Sequence, residues 1–328
     1  MRIYYINSLR LLATLAVVFL HTSAGLLDAR NIEGFTDKFL LSCYKYTMQF
    51  SVPLFVMISG ALFLNPTKKT GFDILLHKYV KRIVLALLIF GIPMCLIETY
   101  LTNQKSGLIY SLIQFITGHS WSHMWYLYML IGLYLITPII KPFVVNASNK
   151  DWYCTLGLLF IISSVLPTLN NIGIKITSYM TISSPYIFIY LLGYWLCWKA
   201  PQKLYSNTIL LSTAILLCMG LIVTKCYIQF DYYGYADPIV ICLAAAIFLL
   251  FRNHKVNWAF ANKMTPYCFS IYLIHPIFIN FAYKFLKIDT VYISPFINFI
   301  GFFVLFSILS ILGSYIMMKI PFMKKYVL

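Results

Sequence analysis

Long apolar runs recur along the whole chain, and short polar or charged stretches separate them. An α-helix needs about 20 apolar residues to cross the hydrocarbon core of a bilayer, and most of the runs approach or exceed that length. They predict about ten membrane-spanning helices, at 5–27, 42–64, 82–101, 123–141, 152–168, 184–198, 207–224, 237–251, 265–286 and 293–318. Two of these segments, 152–168 and 184–198, are short, and 108–118 is interpreted as a re-entrant or interfacial helix.

Composition supports this prediction. Hydrophobic residues make up 61% of the 328 positions, charged residues make up 10%, and the mean hydropathy is +0.82. No soluble domain of this size hides so much apolar surface, and the alternating pattern of a β-barrel is missing. We therefore predict an all-α polytopic integral membrane protein, with one transmembrane domain over residues 1–328. The first run lacks a clear cleavage site, so it is expected to remain as the first span.

The basic residues predict how the chain is oriented. The net charge is +16, and most of the 25 lysines and arginines fall in short loops that would share one side of the membrane. This bias follows the positive-inside rule and places both termini in the cytoplasm, in a multi-pass protein of the inner cell membrane. The cations do not form a nucleic-acid footprint, so we expect the lipid bilayer, and no nucleic acid, as a partner.

Cysteine spacing gives no sign of a metal centre. The eight cysteines lie mostly inside or at the edges of apolar runs, and none forms a Cys-x-x-Cys or Cys/His ligand spacing. They are interpreted as packing residues. No metal site is predicted.

The first apolar run contains two residues that are costly in lipid, Arg10 and His21. Eleven positions at about 100° per residue bring both side chains onto one helix stripe, about 16 Å apart along the axis. Imidazole is well suited to accept a proton near neutral pH, whereas a neutral histidine can also serve as a packing residue bonded between helices. The stripe favours a polar cavity with a fixed cation at its inner end.

Other candidate residues have both structural and functional interpretations. Arg82 is either a cytoplasmic anchor or a ligand for the phosphates of a nucleotide-containing substrate. Ser59 precedes Gly60 in a run where small residues allow helices to approach closely. His275 lies near the middle of the ninth predicted span and is followed by Pro276.

A further candidate region is the entrance to the fourth predicted span. An interfacial aromatic belt explains tryptophan and tyrosine there, but it does not explain two histidines beside them. The residues concerned are His119, Trp121, His123, Trp125 and Tyr126.

Taken together, these segments resemble the membrane-bound acyltransferase 3 family. The Arg10 and His21 pair in NSLRLLATLAVVFLHT resembles the family signature, and SVPLFVMISGALF resembles its second-span motif that ends in Ser-Gly. HMWYLYMLIGLYLITPII and YCFSIYLIHPIF resemble two later motifs of the family. The matches follow the family order across essentially the whole chain. The short members without a fused extracytoplasmic domain, of the enterobacterial common antigen O-acetyltransferase type, are the most similar in organisation.

The resemblance implies an O-acyltransferase that moves an acyl group, usually acetyl, from cytoplasmic acyl-CoA to a hydroxyl of a cell-surface glycan or its lipid-linked precursor. No permanently bound cofactor is implied, since acetyl-CoA acts as a donor substrate. The family assigns the catalytic position to His21 and places Arg10 and Arg82 near the acyl-CoA. The residues expected only to line the site are Ser59, His123, Trp125, Tyr126 and His275.

Two other functions remain open at the level of sequence. A transporter or flippase for a glycan intermediate would use the same polar cavity without covalent chemistry, although the internal repeats typical of transporters are not evident. A non-catalytic partner of a polysaccharide synthase would tolerate loss of His21. In the enzyme, His21 would either deprotonate the acceptor hydroxyl or carry the acyl group itself.

Overall fold

The computed structural model describes residues 3–29, 34–101, 108–118, 122–174, 184–229, 234–286, 288 and 295–328. Within these ranges all regular structure is helical, which confirms the all-α class. The main helices are α1 (Tyr4–Ala29), α2 (Phe35–Phe63), α3 (Phe72–Ile97), α4 (Leu108–Ile116), α5 (Trp125–Asn146), α6 (Asn149–Asn171), α7 (Tyr186–Trp198), α8 (Thr208–Tyr227), α9 (Pro238–Asn253), α10 (Ala259–Phe285) and α11 (Pro295–Lys319).

The ten predicted segments are present, but they differ in length. Among the described residues, eight helices are long and apolar enough to cross a membrane, namely α1, α2, α3, α5, α6, α8, α10 and α11. The other two apolar helices, α7 and α9, have 13 and 16 residues. At about 1.5 Å per residue they extend about 20 and 24 Å, less than the hydrocarbon thickness of about 30 Å. The run interpreted as re-entrant or interfacial forms the separate nine-residue helix α4.

Helix α7 is held against α2 by two glycines. A Cβ on Gly60 would lie 1.8 Å from the carbonyl oxygen of Tyr190, and a Cβ on Gly193 would lie 2.1 Å from that of Met57. The two backbones therefore touch, which only glycine permits at this distance. The close approach expected at Ser59-Gly60 is thus observed, and it fixes the position of Ser59 on α2.

Helix α1 runs through the middle of the bundle. It packs against α2, α9, α10 and α11. Ser23 donates a hydrogen bond to the Leu41 carbonyl of α2 at 2.6 Å, and Asn7 donates one to Asn262 of α10 at 2.8 Å. These bonds fix the axial position of α1, and with it the depths of the polar residues along its length.

The basic loops meet at one end of the bundle. Lys141, near the end of α5, donates to the carbonyl of Lys68 in the α2–α3 loop, and Arg82 of α3 donates from Nε to the carbonyl of Val327 at 3.2 Å. We call this the inner end, following the predicted orientation. The opposite end, where α5, α7 and α9 begin, is called the outer end.

Candidate active site

A cavity of about 190 Å³ lies between α1, α2, α5 and α10. It is lined mainly by aromatic and aliphatic side chains, with a few polar groups among them. Six of the eight site residues predicted from the sequence line it, namely Arg10, His21, Ser59, His123, Trp125 and Tyr126. A mostly apolar cavity with few convergent polar groups is typical of a small-molecule site.

Arg10 and His21 both line this cavity, as their shared stripe on α1 predicts. Both side chains are half-buried. Three turns of α1 lie between them, so the cavity extends along the helix for about 16 Å.

His275 lies behind His21 rather than in the cavity wall. Its Nε2 is 2.9 Å from Nδ1 of His21, and the two ring centroids are 5.0 Å apart. His275 is fully buried, and its own Nδ1 lies 2.9 Å from the carbonyl oxygen of Tyr272 and 3.1 Å from that of Ile271. Nδ1 of His21 is therefore engaged, and Nε2 is the nitrogen left for a substrate in the cavity.

His123 completes a group of three close imidazoles. Its ring centroid lies 6.3 Å from that of His21 and 5.7 Å from that of His275. The hydroxyl of Tyr272 donates to the His123 carbonyl at 2.5 Å and so ties α10 to the turn that precedes α5. In the part of the chain that the structure describes, no three His, Cys, Asp or Glu side chains are arranged to hold a metal ion.

Ser59 and Tyr126 contribute a pair of hydroxyls to the cavity. Both side chains line the cavity, Ser59 from α2 and Tyr126 from α5, and they lie close enough to interact. Each hydroxyl has one proton that it can donate to an oxygen atom of a ligand in the cavity. The pair can therefore donate a hydrogen bond to a developing oxyanion.

Trp125 marks the outer end of the cavity. Its ring stacks on Tyr235, which precedes α9, at a centroid distance of 5.5 Å, and contacts Tyr186 at the start of α7 at 5.6 Å. Trp125 and Tyr235 both line the cavity and are half-buried. The outer end is therefore enclosed by aromatic rings from three helix starts.

The inner end of the cavity is cationic. Nζ of Lys68 lies 3.5 Å from the ring centroid of Phe63, which lines the cavity. Burial, together with repulsion from Lys78, Arg10 and Lys141, lowers the pKa of Lys68 to about 8. Four cations are thus close enough to interact at this end.

No acidic side chain neutralises this group within the described ranges. The carboxylate ion pairs found there join His77 to Asp73 and Lys225 to Asp237, and neither involves Arg10 or Lys68. Cations that are crowded together without carboxylates are stabilised by an anionic ligand.

The structure does not bring every predicted residue to the cavity. Arg82 is bonded to the C-terminal segment and is not part of the cavity wall, so its contact with a donor stays a prediction. His119 and Trp121 lie outside the described residues. Conversely, sequence reasoning did not single out Lys68 or Tyr235, which lie in loops without a recognisable motif.

Comparison with known proteins identifies the family. No curated protein and no solved structure matches the chain. A family model with the description "Acyltransferase domain" matches residues 3–319, nearly the full length. The chain is therefore a member of the acyltransferase 3 family, as its motifs suggest.

Proposed function

We propose that this membrane acyltransferase transfers an acyl group, acetyl in the first instance, from cytoplasmic acyl-CoA to a hydroxyl of a cell-surface glycan or its lipid-linked precursor. The observation that carries the proposal is the position of His21 in the cavity wall, with one nitrogen bonded to His275. The acceptor would be of the kind that the short, single-domain members of the family modify, and the protein would lie in the inner cell membrane.

The charged inner end supports an acyl-CoA donor. The head of coenzyme A carries several phosphate charges, and its pantetheine arm is long, slender and mostly uncharged. Arg10, Lys68 and Lys78 would bind the phosphates, while the arm extends along α1 towards His21. The thioester carbonyl would then lie inside the cavity, and the nucleotide would stay outside it.

The reaction requires a base, an oxyanion donor and an exit for the thiolate. Nε2 of His21 would take the proton of the acceptor hydroxyl as that oxygen attacks the thioester carbon. The hydroxyl pair of Ser59 and Tyr126 would stabilise the negative charge on the carbonyl oxygen. Collapse of the tetrahedral adduct breaks the carbon–sulfur bond, and the proton on His21 passes to the departing sulfur of CoA.

Donor turnover by purified protein tests this proposal. Acetyl-CoA is incubated with the protein in detergent or nanodiscs, and free CoA is quantified by chromatography, because the eight cysteines would react with thiol reagents. General base catalysis typically contributes about 10²–10⁴-fold, so His21→Ala should lower CoA release by about 10³-fold.

The matched control is His77→Ala. The His77 side chain is 78% exposed on α3 and lies away from the cavity, so the variant should keep full activity. If wild type and His21→Ala release CoA at the same rate, His21 is not the base. If wild type moves a glycan across vesicles without acylating it, the protein is a transporter instead.

A further inference from the structure

We infer that His275 is a positioning residue, which holds His21 in the single tautomer that presents an unprotonated Nε2 to the cavity. The inference rests on the proposed function, because it assigns a part in the same reaction. It concerns a residue outside the cavity wall, so His275 acts through His21 and not on a substrate.

The tautomer of His275 follows from its neighbours. Its Nδ1 faces the carbonyl oxygens of Tyr272 and Ile271, at 2.9 and 3.1 Å. Carbonyl oxygens only accept hydrogen bonds, so Nδ1 must carry the proton. In the neutral ring, Nε2 then has a free lone pair and can only accept.

The sequence explains why the Tyr272 carbonyl is available. In a regular helix this oxygen would accept from the N–H of the residue four positions later, which is Pro276. Proline has no N–H, so the carbonyl is left without its helical donor. The His275 side chain takes that place, which ties the ring to its own helix and fixes its direction.

The tautomer of His21 follows in turn. Its Nδ1 lies 2.9 Å from the accepting Nε2 of His275, so Nδ1 carries the proton and Nε2 does not. The other tautomer of His21 would place two lone pairs face to face and leave a buried acceptor unsatisfied, which is unfavourable. His275 thus selects the form of His21 that can act as a base from the cavity side.

The choice of an imidazole for this task has a physical reason. In a soluble enzyme a buried aspartate commonly orients the catalytic histidine. A carboxylate at this depth in a membrane is costly unless a cation pairs with it. A second neutral histidine supplies the same acceptor without a net charge, which is why no acidic partner is needed on α1.

Two amide variants separate positioning from packing. In His275→Gln the amide oxygen can reach the place of the imidazole Nε2 and accept from His21. In His275→Asn the shorter amide reaches only the place of Nδ1 and leaves His21 without an acceptor. Both variants are compared with wild type for kcat and KM of CoA release from acetyl-CoA, and for thermal unfolding of the purified protein.

We expect His275→Asn to lower kcat by about 10- to 100-fold, the range found when the orienting partner of a metal-bound histidine is removed, with KM changed less than about twofold. His275→Gln should recover most of that loss at a similar melting temperature. Equal kcat values for the two variants, or losses that follow the melting temperature, would overturn the inference. A wild-type protein without His21-dependent CoA release would instead overturn the proposed function, so the two failures are distinguishable.

Discussion

The two ends of the cavity differ in chemistry. At the inner end Arg10 and Lys68 belong to a group of cations that no carboxylate neutralises among the described residues. At the outer end Trp125 and Tyr235 present stacked aromatic rings. The first surface suits a polyanion, and the second suits a body with little charge. Under the proposed function, two unlike substrates would enter from opposite sides and meet at His21.

The largest expected effect concerns the wall that both ends share. Gly60→Ala would drive a Cβ to 1.8 Å from the Tyr190 carbonyl oxygen, so α2 and α7 must separate. Overpacking of this kind costs about 3 kcal/mol or more, and the yield of folded protein after heating should fall steeply. Gly132→Ala is the control, since a Cβ there meets nothing within 4 Å. Equal stability of the two variants would refute direct contact between the backbones of α2 and α7.

The next effect isolates the inner end. Lys68→Gln combined with Lys78→Gln removes two cations from the group. The KM for acetyl-CoA should rise at least about 100-fold, since hydrogen bonds to charged groups contribute about 1.5–3 kcal/mol each. The KM for acetyl-pantetheine, which lacks the nucleotide, should stay unchanged.

The matched control neutralises Lys69 and Lys81, which are exposed. Lys69 is adjacent to Lys68, and Lys81 lies three positions after Lys78 on α3. A similar rise in the control, or a rise for both donors, would show that the cations serve only to orient the chain. Arg82→Ala measured in the same way tests the donor contact that the sequence predicts for that residue.

A smaller effect isolates the outer end. Trp125→Ala removes the ring that contacts both Tyr235 and Tyr186, so water gains access to the thioester. We expect the ratio of acyl transfer to donor hydrolysis to fall about tenfold, while the KM for acetyl-CoA stays within about twofold. Trp125→Phe keeps a ring and should retain most of the ratio. If Trp125→Ala changed only the KM for acetyl-CoA, the outer end would take part in donor binding, and the assignment of donor binding to the inner end alone would be wrong.

The smallest effect is a pH dependence of donor binding. Burial and neighbouring cations lower the pKa of Lys68 to about 8. The Lys68 side chain is charged at pH 7 and loses its charge as the pH rises through this pKa. The KM for acetyl-CoA should therefore increase about fivefold between pH 7 and 9. Lys68→Arg stays charged and should flatten the curve. If the wild-type KM for acetyl-CoA changed with pH no more than the KM for acetyl-pantetheine, Lys68 would be excluded from the donor site.

Part of this arrangement can be predicted from local patterns. Hydrophobic run length predicts the helices, and the helical repeat alone places Arg10 and His21 on one stripe. The Ser59-Gly60 pair indicates a close helix contact before its partner is known. Each of these features depends on residues that are neighbours along one helix.

The remaining features depend on tertiary contacts. His275 is 254 positions from His21, so their hydrogen bond cannot be deduced from spacing. Tyr235 lies in a loop whose position is set by the packing of α9. The short α7 crosses α2 at Gly193, and its burial inside the bundle, rather than its own length, explains why it is stable.

The sidedness of the two substrates tests the central claim most directly. Sealed right-side-out membrane vesicles that carry the endogenous acceptor are supplied with labelled acetyl-CoA either inside or outside. The variant Lys69→Cys, made in a cysteine-free background, is treated with a membrane-impermeant maleimide. Its labelling reports which side of the membrane the inner end faces. Label should enter the acceptor only when acetyl-CoA is on the Lys69 side. Acylation with acetyl-CoA confined to the opposite side would contradict the account.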